Sequence, residues 1–144
     1  MVALTKDRNT AQSAGDLREG PVAASQLIYA GSLVCRNAAG FLVKGVTALN
    51  LTGVGRAEHQ VDNAAGAAGD AQLRYRPGIY RFANSAAGDL ITIADIGKAC
   101  FVVDDQTVAR TSGTNTRSKA GVVDAVDDQG VWVRMDEALA RVAS

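Results

Sequence analysis

From Pro21 onward the chain is cut into short apolar runs, each closed by Asn, Asp, Gly or Pro. A helix needs apolar positions recurring over ten or more residues, so runs this short between turn residues read as strands. Leu27-Ile28-Tyr29 and Ser32-Leu33-Val34-Cys35 lead into Arg36-Asn37-Ala38-Ala39-Gly40, and Phe41-Leu42-Val43-Lys44 comes back. Asn and Gly supply the left-handed backbone that such a hairpin turn needs. Asn63–Gly66 and Asn84–Gly88 reuse the same turn chemistry without a fixed period, so no repeat architecture is implied. Thr52–Glu58 reads as a strand whose glycines, Gly53 and Gly55, mark close backbone packing.

Gln72–Arg76 alternates polar and apolar residues, as a half-buried strand does. Pro77-Gly78 fits the centre of a type II turn, with Ile79–Phe82 as the return strand of a hairpin. Ala99–Val103 is apolar throughout and predicts a central buried strand, turned by Asp104-Asp105-Gln106 into Thr107–Arg110. Ala120–Val126 and Val131–Met135 form a last hairpin around Asp127–Gly130. Trp132 alternates with Val131 and Val133, which places it in a core or an interface. Only Asp136–Val142 reads as a helix, with one further helical turn at Ile93–Lys98. The expected fold is therefore mainly β: a small β-barrel or β-sandwich body over residues 21–144 with a short C-terminal helix.

Residues 1–20 are different. Leu4 and Leu17 stand far apart among Thr, Asn, Gln, Ser and Gly, too sparse to offset the entropy of ordering the segment. An extended N-terminal arm is expected, ordered only by contact with a partner or with the body. The opening residues carry no apolar stretch of the kind that marks a secretory signal, which predicts a chain made and kept in a cytoplasm. The sequon Asn50-Leu51-Thr52 then has no bearing.

Charge narrows the function classes. Fifteen Lys and Arg balance fifteen Asp and Glu, and aromatics make up only 5% of the 144 residues. A basic surplus for nucleic acid and a stacking platform for single strands are both missing, so no nucleic-acid partner is expected. No apolar run approaches a membrane span, so no membrane partner is expected either. Residues 1–88 hold nine of the basic and six of the acidic side chains, and residues 89–144 hold the other six and nine. The halves thus differ in sign, +3 against −3, and can attract one another within or between chains.

The residues that usually carry chemistry are few. Cys35 and Cys100 each sit in an apolar run and read as small core hydrophobes, with a disulfide or metal pair as the rival reading. His59 is the single histidine and reads as a solvated strand-end residue, with a small enzyme site around it as the alternative. The pairs Asp104-Asp105 and Asp127-Asp128 point to opposite faces and read as turn residues, with cation binding as their rival. Gly53-x-Gly55 lacks the third glycine of a dinucleotide loop. No cofactor is expected. Arg74, Arg76 and Arg81 cluster around the expected Pro77-Gly78 hairpin, where they form either a solvated face or a patch for carboxylates. With Leu4, Lys6, Arg8 and Leu17 of the arm they are the candidate interface residues.

The last third of the chain resembles a known family. Ile93-Ala94-Asp95-Ile96-Gly97-Lys98 followed by Val102-Val103-Asp104-Asp105-Gln106-Thr107-Val108-Ala109 is similar to the capsid cement, or head decoration, proteins of tailed bacteriophages. Ala120–Val123 and Gly130–Val133 continue the likeness, and Ala30–Val34, Gly40–Val43 and Gly53–Ala57 match upstream, so that it spans roughly residues 20–135. The resemblance implies a non-enzymatic virion protein on the outer surface of the head, made in the host cytoplasm. Its partners would be the major capsid protein and itself, often as a homotrimer. A tail or baseplate structural protein is the related alternative, distinguished by rings of fixed symmetry. Loss of a measurable activity in His59→Ala would favour the enzyme alternative instead.

Overall fold

A computed structural model describes residues 2–143. Twelve strands occur among them: β1 Arg18–Pro21, β2 Gln26–Ile28, β3 Leu33–Arg36, β4 Leu42–Lys44, β5 Thr52–Ala57, β6 Val61–Asn63, β7 Gln72–Arg76, β8 Gly78–Phe82, β9 Ala99–Val102, β10 Val108–Ala109, β11 Lys119–Asp127 and β12 Gly130–Met135. Two short 3-10 turns, Ala87–Asp89 and Ile93–Asp95, lie between β8 and β9, and helix α1 spans Glu137–Val142. The fold is mainly β, as expected.

The strands form two five-stranded antiparallel sheets, β1-β7-β5-β3-β4 and β10-β9-β11-β12-β8, with β2 and β6 as a small third ribbon. Each large sheet curls until its ends meet at one parallel bridge. Val22, just past β1, bridges Leu42 of β4, and Ala83, just past β8, bridges Thr107 before β10. Neither bridge extends into a ladder, so the curl is tied at a point.

Two cores result. Val22, Ile28, Val34, Leu42, Val54, Ala57, Leu73 and Tyr75 fill the curl of the first sheet. Leu33, Cys35 and Val43 of the first sheet join Phe82, Cys100, Val102, Val123, Val131, Val133 and Met135 of the second in a larger cluster. Strand β3 is thus buried on both faces, Leu33 and Cys35 toward one core and Val34 toward the other. That is why its sequence is continuously apolar instead of alternating. The sheets touch at Gly53, where a built Cβ would lie 2.1 Å from the Ala120 carbonyl oxygen. Only glycine fits there. Helix α1 starts where the Asp136 carboxylate accepts the Leu139 N–H at 3.1 Å, and it packs on β5 and β11.

Two expectations need correction, and a third is narrowed. Pro77-Gly78 does not close a hairpin: β7 belongs to the first sheet, and β8 pairs with β12 in the second. Proline has no N–H to continue the β7 ladder, and Gly78, at φ +154°, swings the chain into the other sheet. The arm is also shorter than residues 1–20. Arg18–Gly20 already run in β1, paired with Leu73–Tyr75, because Gly20 is small enough to pass Leu42, whose Cδ1 a Cβ would meet at 3.1 Å. Finally, of the two places expected for Trp132, a core or an interface, the core is excluded. The buried side chains of β12 beyond Gly130 are Val131, Val133 and Met135, so alternation turns Trp132 and Arg134 outward.

Candidate interaction surface

Residues 2–19 are exposed throughout. Val2 keeps 86% and Leu4 72% of their surface in water, and Lys6 and Arg8 lie beside them. Leu17, at the foot of the arm, is exposed too. Within the arm Thr10 donates its N–H to the Arg8 carbonyl at 3.1 Å. Its foot is held by charge. The Asp16 carboxylate pairs with the Arg76 guanidinium, and Arg18 donates to the Gly15 carbonyl at 3.0 Å.

Arg76 is one member of a network that spans both sheets. Glu58 takes Arg76 at 3.7 Å and Arg56 at 2.9 Å. The Arg56 guanidinium lies 4.4 Å from the centre of the Tyr80 ring, and the Tyr80 hydroxyl donates to the Arg76 carbonyl at 3.1 Å. Partial burial raises the Tyr80 hydroxyl above its ordinary value, and the hydrogen bond to Glu58 raises the already high Arg56. Arg74, one residue pair along β1–β7, stands exposed across from Glu19.

Arg81 is not part of this patch. With the hairpin gone, β8 turns Tyr80 and Phe82 inward and Ile79 and Arg81 outward on the second sheet. There Arg81 sits opposite Trp132, its guanidinium 5.4 Å from the ring, while Trp132 Nε1–H donates to Asp127 at 2.9 Å. Arg134 pairs with Asp124 at 3.1 Å on the same face. A half-buried Trp among arginines and an exposed Ile79 has the composition of a protein-binding surface. The candidate residues therefore divide between the arm with Arg74 and Arg76, and a separate outer face with Arg81.

The chemical candidates have structural partners. His59 Nε2 accepts the Arg74 N–H at 3.0 Å and its Nδ1 donates to the Gln60 carbonyl at 3.0 Å, which occupies both ring nitrogens with backbone. Asp104 and Asp127 each accept a backbone N–H two residues on, from Gln106 at 2.9 Å and Gln129 at 2.8 Å, which is the work of a turn residue. The bonds from Trp132 and Gln129 also hold the Asp127 carboxyl below the usual carboxylate range. Cys35 and Cys100 are free thiols in the larger core, each pushed up to about 12 by burial. Among the described residues, no three His, Cys, Asp or Glu side chains converge on a metal site, and no helix is long and apolar enough to cross a membrane.

Two features carried no sequence signal. The Arg36 guanidinium donates to both Glu137 oxygens (3.1 and 2.9 Å), to the Gly40 carbonyl (3.0 Å) and to the Tyr75 hydroxyl (2.9 Å). It ties α1, the β3–β4 turn and β7 together across a hundred residues of sequence. An open groove of about 350 Å³ is lined by Tyr29, Ala30, Gly31, Ser32, Asp105 and Gln106, which join two distant turns. Neither a family model, nor a curated protein, nor a solved structure matches this chain.

Proposed function

We propose that this chain is a structural binding protein, one whose work is to hold other subunits together. More narrowly, in line with the resemblance of residues 20–135, we propose a capsid cement protein on the outer surface of a phage head. Its partners would be the major capsid protein and further copies of itself. The observation that carries the reading is the arm. Fifteen or so residues run outward from a strand that is locked into the body, with Val2 and Leu4 left in water. Extended, residues 2–17 reach ~50 Å at ~3.3 Å per residue, far enough to leave one subunit and grip another. The mechanism is mechanical. Binding only the assembled lattice stabilises it by RT ln(1+[L]/Kd) per site, against whatever pulls the capsomers apart.

The test is co-sedimentation with heads built from the cognate capsid protein. The full chain is expected to bind and to raise the temperature at which heads rupture. A chain starting at Leu17 keeps β1, and therefore its own melting temperature, but binds at least about tenfold more weakly, the equivalent of ~1.4 kcal/mol. Full affinity in that truncated chain would overturn the reading.

A further inference from the structure

A cleft of about 380 Å³ opens where the β3–β4 turn, the start of β5 and the last turn of α1 meet. Two arginines, Arg36 and Arg141, line it, and no carboxylate does. Both guanidiniums lean on one group outside the lining: Glu137 Oε2 accepts Arg36 Nε–H at 2.9 Å and Arg141 Nη2–H at 3.1 Å. Two cations on one carboxylate leave a net positive charge at the cleft. Arg36 is tied down by Glu137, the Gly40 carbonyl and the Tyr75 hydroxyl, so it contributes a fixed charge. Arg141 makes only the Glu137 bond among the described residues, and its side chain is 56% exposed. Its remaining N–H groups form a free planar fork of the shape that takes a carboxylate.

The rest of the lining suits a peptide better than a free ion. Ala38 and Leu51 are apolar and only partly buried. Asn37 Oδ1 accepts the Ala39 and Phe41 N–H groups at 3.0 and 2.9 Å, which leaves its NH2 end as a donor. Neither the Asn50 amide nor the Thr52 hydroxyl has a hydrogen-bond partner among the described residues. The wall that carries them is pinned from behind, since Leu51 N–H donates to Ser118 Oγ at 3.0 Å and Ser118 donates to the Ala48 carbonyl at 2.7 Å. A cleft shaped in advance binds without first ordering its own walls.

We infer that this cleft seats an acidic side chain, Glu or Asp, carried on an extended peptide segment of a partner protein. The carboxylate meets the free fork of Arg141 in the field of Arg36. Its methylenes cover Ala38 and Leu51, and the flanking peptide groups reach the polar ends of Asn37, Asn50 and Thr52. A free phosphate would engage the arginines and leave that apolar floor in water. The inference rests on reading the chain as a structural binding protein, and it names the chemistry the partner presents at a contact separate from the arm. Charge complementarity of this kind sets register and partner choice more than raw affinity.

NMR of the isotope-labelled full chain, titrated with the peptide acetyl-Ala-Glu-Ala-amide at millimolar concentration, tests this. Saturable shifts are expected at the Asn37 and Asn50 side-chain amides and at the Arg141 Nε–H. The neutral peptide acetyl-Ala-Gln-Ala-amide is expected to bind at least about fivefold more weakly. Arg141→Gln keeps a good helix former and removes the charge, and it is expected to weaken the Glu peptide by a similar factor. Its melting temperature should barely move, because an exposed pair four residues apart on a helix contributes little. No saturable shift, equal binding of the two peptides, or a Glu peptide indifferent to Arg141→Gln overturns the inference. Inorganic phosphate that saturates the same signals at a lower concentration than the Glu peptide overturns it too, since the cleft is then a phosphate site. The two claims fail separately. If heads bind the full chain and not the chain starting at Leu17 while both peptides behave alike, only the inference falls. If the Glu peptide binds selectively and the truncated chain binds heads fully, only the proposed function falls.

Discussion

Replacing Gly53 by alanine asks whether the two sheets meet as described. A Cβ there would lie 2.1 Å from the Ala120 carbonyl oxygen and 2.8 Å from both its carbonyl carbon and Cα. All three atoms are backbone, so no side chain can swing aside. Relief needs β5 and β11 to part by about 1 Å, and a gap of that size forfeits a quarter to a half of each dispersion contact it opens. Helix α1 packs on both strands, so its contacts loosen as well. The expected loss is about 3–5 kcal/mol, above ordinary overpacking because the clash is backbone on backbone. At ~2–4 °C per kcal/mol for a chain near this size, the melting temperature drops by about 6–20 °C. Two other glycines are internal controls. Gly88 has open space around it and no positive φ, so Gly88→Ala stays near zero or stabilises slightly. Gly40 is also open but sits at φ +93°, so Gly40→Ala costs about 1–2 kcal/mol from backbone strain alone. Urea unfolding, followed by far-UV circular dichroism and by the emission of Trp132, orders the three. If Gly53→Ala falls within about 1 kcal/mol of Gly88→Ala, the sheets do not meet at Ala120 and the two-core architecture is wrong.

Arg36→Met keeps the stem and deletes the fork that holds Glu137, Gly40 and Tyr75; with both charges partly solvated, about 2 kcal/mol of stability is expected to go, and Arg36→Lys to recover only part of it in the same unfolding assay. Cys35 and Cys100 are pushed up to about 12 by burial, so a thiol reagent at pH 8 labels neither in the native protein and both on unfolding; fast native labelling would place them elsewhere. The Asp95 carboxyl is held below the usual carboxylate range, first by the Thr92 N–H and then by Arg110, with desolvation opposing. A lowered folded value stabilises above the unfolded one and is lost in acid, so stability should fall as the pH drops below about 4, and less steeply in Asp95→Asn. Trp132→Ala, on the outer face, is expected to cost under about 2 kcal/mol of stability and, on the proposed reading, to weaken head binding; a core-like loss of about 3–5 kcal/mol would put the ring back inside.

The parts of the fold that were legible are those with local causes. The β3–β4 and β11–β12 hairpins follow from Asn37 to Gly40 and Asp127 to Gly130, whose turn chemistry acts within five residues. Asp136 caps α1 by the same kind of short-range bond. Gly53 was readable too, because a glycine inside a strand pattern implies something close to its backbone, although not what. Pro77-Gly78 shows where local reading ends. The same dipeptide serves a hairpin and a crossover, and which one forms is decided by β12, fifty residues away, taking β8 as its partner. The charge network at the foot of the arm was invisible for a related reason: Asp16, Arg56, Glu58, Arg76 and Tyr80 come from four separate segments, and no spacing announces that they meet.

On the proposed reading the arm must carry load, and the way β1 is built bears on that. Tension on residue 17 runs along β1 and not across it. The four paired positions from Arg18 to Pro21 are then loaded together, in shear against β7, instead of being peeled one at a time. Beyond them the chain does not swing free. Val22 donates its N–H to the Ala71 carbonyl at 2.9 Å, and Ala23 donates to the Leu42 carbonyl at 2.9 Å on the opposite edge of the same sheet. The strand is therefore gripped from both sides, and Val22 itself is fully buried in the first core. The Asp16–Arg76 pair, outside this grip, is exposed and contributes little energy. An arm that served only as an unstructured tail would need none of this. A root held by two edges of one sheet, with its own core beneath it, is what transmits force from a gripped partner into the body.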